Sequence, residues 1–378
     1  MAKKKKIRAN FRKNRGTRVR TTDWTQRFAA DKTRDDESLR GERISGRGEL
    51  TRKRTIMVDD HSAAGAEPGD AVLGVDMAEC LAGRVLSVQG LTSTVQTPDG
   101  QLHQCATRRL LKTLSTDQRH VVAAGDRVQF RPAQGNEGII ERIEPRHGVL
   151  SRNVRGRQHV IVANVDQLLI VASAAEPYLK PNLIDRFLVS AEKNRIRPLI
   201  VINKIDLVER GSLAPMVGVF SQMGYRVLLV SARTGFGMDR VRRALANCAT
   251  AVAGQSGVGK SSLLNAVETD WSLRVAEVSE ETQKGRHTTT TARLLTLGCG
   301  GYVIDTPGIR QFQLWDIVPE EVAGCYRDLR PFVNKCRFPN CTHTHEADCA
   351  VKDAVADGWL DARRYESYCH LFSGDMAV

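Results

Sequence analysis

Gly254-Gln255-Ser256-Gly257-Val258-Gly259-Lys260-Ser261-Ser262 reads G-x-x-x-x-G-K-S, a spacing suited to chemistry on phosphate. Glycines at these positions let backbone N–H groups turn inward around an anion with no Cβ in the way. Lys260 is placed to reach the terminal phosphates, and Ser261 to offer its hydroxyl to Mg²⁺. A glycine-rich turn with an accidental G-K-S is the plain alternative, and the flanks argue against it. Ala249 to Ala253 is a short apolar run before the loop; Leu263, Leu264, Ala266 and Val267 recur at helical spacing after it. In such a strand–loop–helix setting the helix N-terminus adds partial positive charge toward the phosphates.

A second group selects the base. Pro198 to Ile202 is an apolar, strand-like run that ends in Asn203-Lys204-Ile205-Asp206, the N-K-x-D pattern. Asp206 is placed to accept two hydrogen bonds, from the ring N–H and the exocyclic amine of guanine. Adenine lacks that donor pair, so ATP would leave the carboxylate unsatisfied. Asn203 and the Lys204 stem brace the loop. Ser231-Ala232-Arg233 ends a further strand-like run, Arg226 to Val230, with the Ala232 N–H placed for the guanine oxygen. N-K-I-D alone could be an exposed turn; with S-A-R behind it the pair is specific. The expected contacts to GTP or GDP are Asn203, Lys204, Ile205, Asp206, Ser231, Ala232, Arg233 and the whole loop from Gly254 to Ser262, with Gln255, Ser256, Gly257, Val258, Gly259, Lys260 and Ser261 between.

Asp305-Thr306-Pro307-Gly308 follows Tyr302-Val303-Ile304 and fits the D-x-x-G sensor of metal and γ-phosphate. Asp305 would reach Mg²⁺ through water, and the Gly308 N–H the phosphate. Between the two phosphate sites lies Gly285-Arg286-His287-Thr288-Thr289-Thr290-Thr291, where a threonine can close over Mg²⁺ in the GTP state. Thr288 and Thr289 are the first choices. Ile309 stands after D-x-x-G, where a water-positioning Gln is frequent, and Gln311 is displaced by two positions. An apolar side chain cannot orient water, so unstimulated turnover is expected to be slow.

Near the C-terminus, Cys336-x4-Cys341-x-His343-x5-Cys349 brings three thiols and an imidazole within 14 residues. That donor set fits a tetrahedral Zn²⁺ better than it fits unrelated free cysteines. His345 competes with His343 for the fourth place. No position is left open for water, so the metal is expected to be structural.

These residues need elements to hold them. A chain of 378 residues exceeds one ordinary core and should form two or three domains. The net charge of +13 sits almost wholly in a tail: residues 1–54 carry 19 Lys+Arg against 7 Asp+Glu, and the remainder 37 against 36. Residues 1–78 therefore read as a basic, disordered arm and linker, whose charge suits RNA or DNA, or else merely keeps the chain soluble. Phe11 and Trp24 could stack on bases there. Residues 79–150 hold five short β-like runs: Gly83–Gln89, Thr92–Thr97, Gln101–Ala106, Gly125–Phe130 and Gly138–Ile143. They suit an OB-fold-like barrel, although a small sandwich or SH3-like barrel would read alike. From 151 to 316 strand and helix patterns alternate, which predicts an α/β domain with a mostly parallel sheet. Residues 317–378 read as a helical zinc-binding domain. Nine cysteines without a disulfide pattern point to the cytoplasm, and no apolar run reaches the roughly 18–20 residues of a membrane span.

The order of the motifs is the unusual feature. Ordinary small GTPases run phosphate loop, switch threonine, D-x-x-G, N-K-x-D, S-A-x; here N-K-I-D and S-A-R come first. The same sheet is buildable with its termini moved, that is, by circular permutation. Over roughly residues 80–378 the chain resembles the RsgA family of ribosome small-subunit-dependent GTPases, through the barrel, NKID, GQSGVGKSS, GRHTTT, DTPG and the Cys/His cluster. The resemblance implies GTP hydrolysis stimulated by the small ribosomal subunit, late in its assembly, with rRNA contacts. It also implies His343 rather than His345 as zinc ligand, and His287 as the catalytic substitute for the missing Gln, beside Lys260 and Gly308. A histidine in such a loop is otherwise a solvated spectator. Expected partners are thus the small subunit, its rRNA and GTP or GDP, with no membrane, and the chain is expected to be a monomer. The competing reading is an rRNA-binding assembly factor that keeps GTP as a structural ligand.

Overall fold

Strands in the N-terminal part follow from alternation of buried and exposed side chains. The computed structural model describes residues 4–10, 53–59, 79–108, 111, 121–154, 157–268, 271, 292–305 and 318–374, without the side chains of 4–10, 53–59, 152–159 and 305. Packing divides the chain into two compact units, 1–146 with 154–161, and 147–153 with 162–378.

In the first unit, β1 (Lys4–Asn10) and β2 (Lys53–Asp59) pair antiparallel, from Lys4 opposite Asp59 to Asn10 opposite Lys53. Composition predicts no element in this arm. Thr55 to Val58 is a β-prone run, and two strands alone make no core. Five further strands form the barrel: β3 (Leu81–Gln89), β4 (Thr92–Gln96), β5 (Leu102–Thr107), β6 (Arg127–Pro132) and β7 (Glu137–Ile143). Their order is β3-β4-β5-β7-β6, and β6 returns to β3 to close the ring. Only β5 and β7 run parallel. Val85, Val95, Cys105, Val128, Phe130 and Ile140 fill the interior with no exposed surface. Closure of a single ring, which leaves no free edge, decides for the OB-fold-like barrel over a sandwich.

β8 (Leu150–Val154) and β9 (Arg157–Val162) precede the second unit's sheet. The apolar run Val160 to Ala172 is not one strand. It breaks at Asn164, whose φ of 57° is left-handed and whose Oδ1 accepts from the His147 N–H at 3.1 Å. β10 (Gln167–Ser173), β11 (Arg197–Asn203), β12 (Arg226–Leu229), β13 (Ala249–Ala253), β14 (Arg293–Thr296) and β15 (Tyr302–Asp305) then lie in the order β12-β11-β10-β13-β15-β14. All neighbours are parallel except β14 against β15. Helices α1 (Pro181–Lys193), α2 (Ala214–Gln222), α3 (Met238–Leu245) and α4 (Lys260–Val267) connect them. Leu169, Val201, Val230, Leu263 and Val303 share one core beneath the loops. From the neighbours β10 and β13 the chain continues toward opposite sides, to β11 and to β14, which makes a switch point, the place where open α/β sheets bind ligands.

The remaining α-helices among the described residues are α5 (Pro319–Cys325), α6 (Arg330–Val333), α7 (Ala350–Ala356) and α8 (Ala362–Ser373). Val322, Tyr326, Leu329, Val351 and Tyr368 form their own core, joined by Val189 of α1. No described helix is long and apolar enough to cross a membrane.

Candidate functional site

The phosphate loop leaves β13 at Gly254 and enters α4 at Lys260, where sequence places it. Gly254 has φ 148°, and a Cβ there would stand 2.2 Å from the Val171 carbonyl oxygen of β10. Only glycine fits so close to a neighbouring strand. Gly259, at φ 88°, caps α4 and would drive a Cβ to 2.6 Å from Asn203 Nδ2. Lys260 Nζ donates to the carbonyls of Gly254 at 2.8 Å and Gln255 at 2.6 Å, folding back over its own loop. Ser261 and Ser262 occupy the first turn of α4, whose first N–H groups have no helical acceptor and are available to an anion.

Asn203 ties this loop to the base-recognition loops. Its side chain is 2% exposed at the end of β11, donates from Nδ2 to the Val258 carbonyl at 3.0 Å, and accepts at Oδ1 from the Ala232 N–H at 3.1 Å. Sequence expects that N–H to face guanine; here Asn203 takes it. Asp206 Oδ1 accepts from Ser231 Oγ at 2.6 Å, and Arg233 forms an ion pair with Oδ2 at 2.9 Å. The Ser231 hydrogen bond chiefly holds the Asp206 carboxyl below its ordinary range, against some burial, with its own backbone N–H, Arg233 and Lys204 adding to it. The carboxylate is therefore ionised at neutral pH. Lys204 has φ 62° and its ammonium donates to the Glu176 carbonyl, which brings the segment after β10 to the site. Ile205 is buried under the loop.

One edge of the site was not legible in sequence. Tyr178, Lys180 and Gln255 border a small hollow floored by Ile170, Val171 and Val258. Nothing in Ala174 to Lys180 matches a motif. Asp305 ends β15 with only its backbone described, while His287, Thr288, Thr289, Gly308, Ile309 and Gln311 lie outside the described residues.

The second site is compact. Donor atoms of Cys336, Cys341, His343 and Cys349 all lie within 4.8 Å of one another. Cys336 Sγ is 3.3 Å from His343 Nδ1 and 3.8 Å from Cys349 Sγ, and Cys349 Sγ is 3.6 Å from the same nitrogen. Tetrahedral zinc bonded at about 2.3 Å to sulfur and about 2.0 Å to nitrogen would set S···S near about 3.8 Å and S···N near about 3.5 Å. The donor set thus fits such an ion. His345 stays out, 81% exposed and facing Thr344 Oγ1.

A supporting shell, missed in sequence, fixes the loop. Glu346 accepts from the Thr342 N–H at 2.7 Å, the Thr342 hydroxyl at 2.6 Å and the Thr344 N–H at 3.1 Å. From α8, the Tyr365 hydroxyl donates to the His343 carbonyl at 2.8 Å, and that of Tyr368 to the Thr342 carbonyl at 2.6 Å. The spacing Thr342-x-Thr344-x-Glu346 was the available signal.

A parallel sheet with N-K-x-D and S-A-R ahead of the phosphate loop, D-x-x-G after it, a closed barrel before and a Cys/His cluster behind defines a circularly permuted GTPase. Residues 143–315 match the family model described as RsgA GTPase. The small ribosomal subunit biogenesis GTPase RsgA of Chlorobaculum parvum is 42% identical over 307 residues, 78% of this chain and 98% of the relative. The protein of that name from Sodalis glossinidius is 40% identical over 80% of this chain and 88% of its own. Among solved structures, YjeQ from Thermotoga maritima aligns with a TM-score of 0.65 at 33% identity, over 79% of this chain and 99% of its own. YloQ, described as a circularly permuted GTPase, aligns at 0.63 and 29% over 79% and 96%. The chain belongs to the RsgA GTPase family and is a GTP hydrolase.

Proposed function

We propose that the chain hydrolyses GTP to GDP and phosphate on the small ribosomal subunit, late in that subunit's maturation; its relatives are named small ribosomal subunit biogenesis GTPases. The observation that carries the nucleotide half is the Asn203 bridge, which holds the phosphate loop and the guanine loops in one register. Asp206, supported by Ser231, selects guanine. Lys260 leaves its loop carbonyls for the β- and γ-phosphates, where it offsets charge that grows as the phosphoryl group departs. Mg²⁺, held by Ser261 with Thr288 or Thr289 and through water by Asp305, would neutralise charge on the same phosphates. The Gly308 N–H meets the γ-phosphate, and His287 takes the water-orienting role that Ile309 cannot fill.

The metal at Cys336, Cys341, His343 and Cys349 is Zn²⁺, with a structural role. The domain division 1–78, 79–150, 151–316 and 317–378 follows these roles. The basic arm and the barrel contact rRNA, in the cytoplasm, with the chain acting as a monomer. Ile309 favours one competitor, an rRNA-binding assembly factor that keeps GTP as a structural ligand. The GTPase rate with and without purified small subunits tests both: stimulated turnover supports the hydrolase, and none under either condition supports the competitor.

A further inference from the structure

The base-recognition carboxylate is already taken. Arg233 stands one residue beyond the anchored Ala232, its side chain 75% exposed, and pairs with Asp206 Oδ2 at 2.9 Å while Ser231 holds Oδ1. Asp206 itself is 13% exposed, and both of its oxygens have protein partners. Guanine must present two donors side by side to this carboxylate. An arginine fork is built for the same acceptor geometry.

The other cations of the site are likewise engaged by the protein: Lys204 by the Glu176 carbonyl, Lys260 by the carbonyls of Gly254 and Gln255. Those two reach carbonyls, which keep a lone pair for other donors. Arg233 alone sits on the acceptor that distinguishes the base.

Taking the nucleotide site proposed above as given, we propose that Arg233 is a specificity-setting residue that competes with guanine for Asp206, so that base binding must displace its guanidinium. An exposed ion pair is a weak competitor, since solvent and salt already take most of its strength. It therefore tempers guanine-nucleotide affinity without abolishing it, and it reoccupies the acceptor when the base leaves. The competition bears on the donor pair rather than on a single donor. Inosine diphosphate, which lacks the exocyclic amine, needs one carboxylate oxygen and leaves the other to Arg233.

Equilibrium dissociation constants for GDP and inosine diphosphate, measured on the full chain and on its Arg233→Ala variant, test this. The variant should bind GDP about two- to fivefold tighter, the range an exposed ion pair supports. Affinity for inosine diphosphate should stay unchanged, so the preference for GDP rises by the same factor. Weaker or equal GDP binding by the variant would show that Arg233 aids or ignores the base. Equal tightening of both nucleotides would place its effect away from the exocyclic amine. Either result overturns the competition. No GDP binding by the unaltered chain would be a different failure, that of the nucleotide site itself, and would take this inference with it.

Discussion

Arg364 of α8 meets Asp185 of α1 out of reach of solvent, their side chains 4% and 2% exposed. The guanidinium also pairs with Asp328 at 2.9 Å and lies 4.4 Å from the Tyr326 ring centre. Around this triad, Arg327 and Arg330 bind Glu192, and Lys193 binds Glu321, so the C-terminal helices are fastened along α1. Arg364→Leu strands two carboxylates, one of them fully buried. Loss of a buried partner is expected to destabilise the chain by about 3–5 kcal/mol, read as a lower denaturant midpoint. Loss below about 1 kcal/mol would show that water or other donors replace the guanidinium.

Asp185 adds a pH dependence. Burial pushes its carboxyl up to about 6, opposed by Arg364 and by the Ser367 hydrogen bond. A carboxyl raised above its unfolded value binds its proton more tightly when folded. Its contribution is therefore full below about pH 4 and lost as pH rises through about 6. The excess stability of the unaltered chain over Asp185→Asn should be largest near the acid end of that window and shrink toward neutrality. A difference constant across the window would exclude Asp185 as the titrating group.

Asp206→Asn should weaken GTP binding on the order of 100-fold or more, since two hydrogen bonds to a charged acceptor are lost. It should also favour xanthine nucleotides, whose ring oxygen replaces the amine donor. Competition binding with GDP and xanthosine diphosphate reads both effects. Retained GTP preference would remove Asp206 from the base site.

Motifs at strand ends were legible because each is a short, contiguous string that follows a run of apolar residues. Asn203, Asp206 and Lys260 are of that kind, and so are the barrel strands, whose alternation is local. Arg364 and Asp185 stand 179 positions apart, and an aspartate inside a helix reads as a solvent-facing residue. The clasp between α1 and α8 has no periodic signal. Arg233 was legible as a member of S-A-R, but its hold on Asp206 depends on how two loops approach each other. The Asn203 bond to the Ala232 N–H was hidden for the same reason: a buried asparagine needs a donor, and only packing decides which.

Cys341→Ser should release the metal and loosen α5 to α8, because ligation free energy is folding free energy at such a site. Elemental analysis of the purified chain, with hydrogen exchange across 319–374, checks both. Equal metal content would rule out Cys341 as a ligand.

The bridge through Asn203 makes a stricter prediction. Gly259 must stay without a side chain for two separate reasons: its φ of 88°, and the 2.6 Å approach of Asn203 Nδ2 to the place of its Cβ. Gly259→Ala should therefore displace Asn203 and break its bonds to Val258 and Ala232, with a further penalty of about 1–2 kcal/mol for the left-handed residue. Asn203→Ala breaks the same two bonds while leaving the loop backbone unstrained. Each variant should weaken GDP binding at least tenfold, since both uncouple the phosphate loop from the guanine loops. If they act through one bridge, the double variant should lose much less than the product of the two, with an interaction energy of about 1 kcal/mol or more. Independent losses in this cycle, measured by GDP titration, would mean that Gly259 serves the phosphates directly and that the two loops are positioned separately.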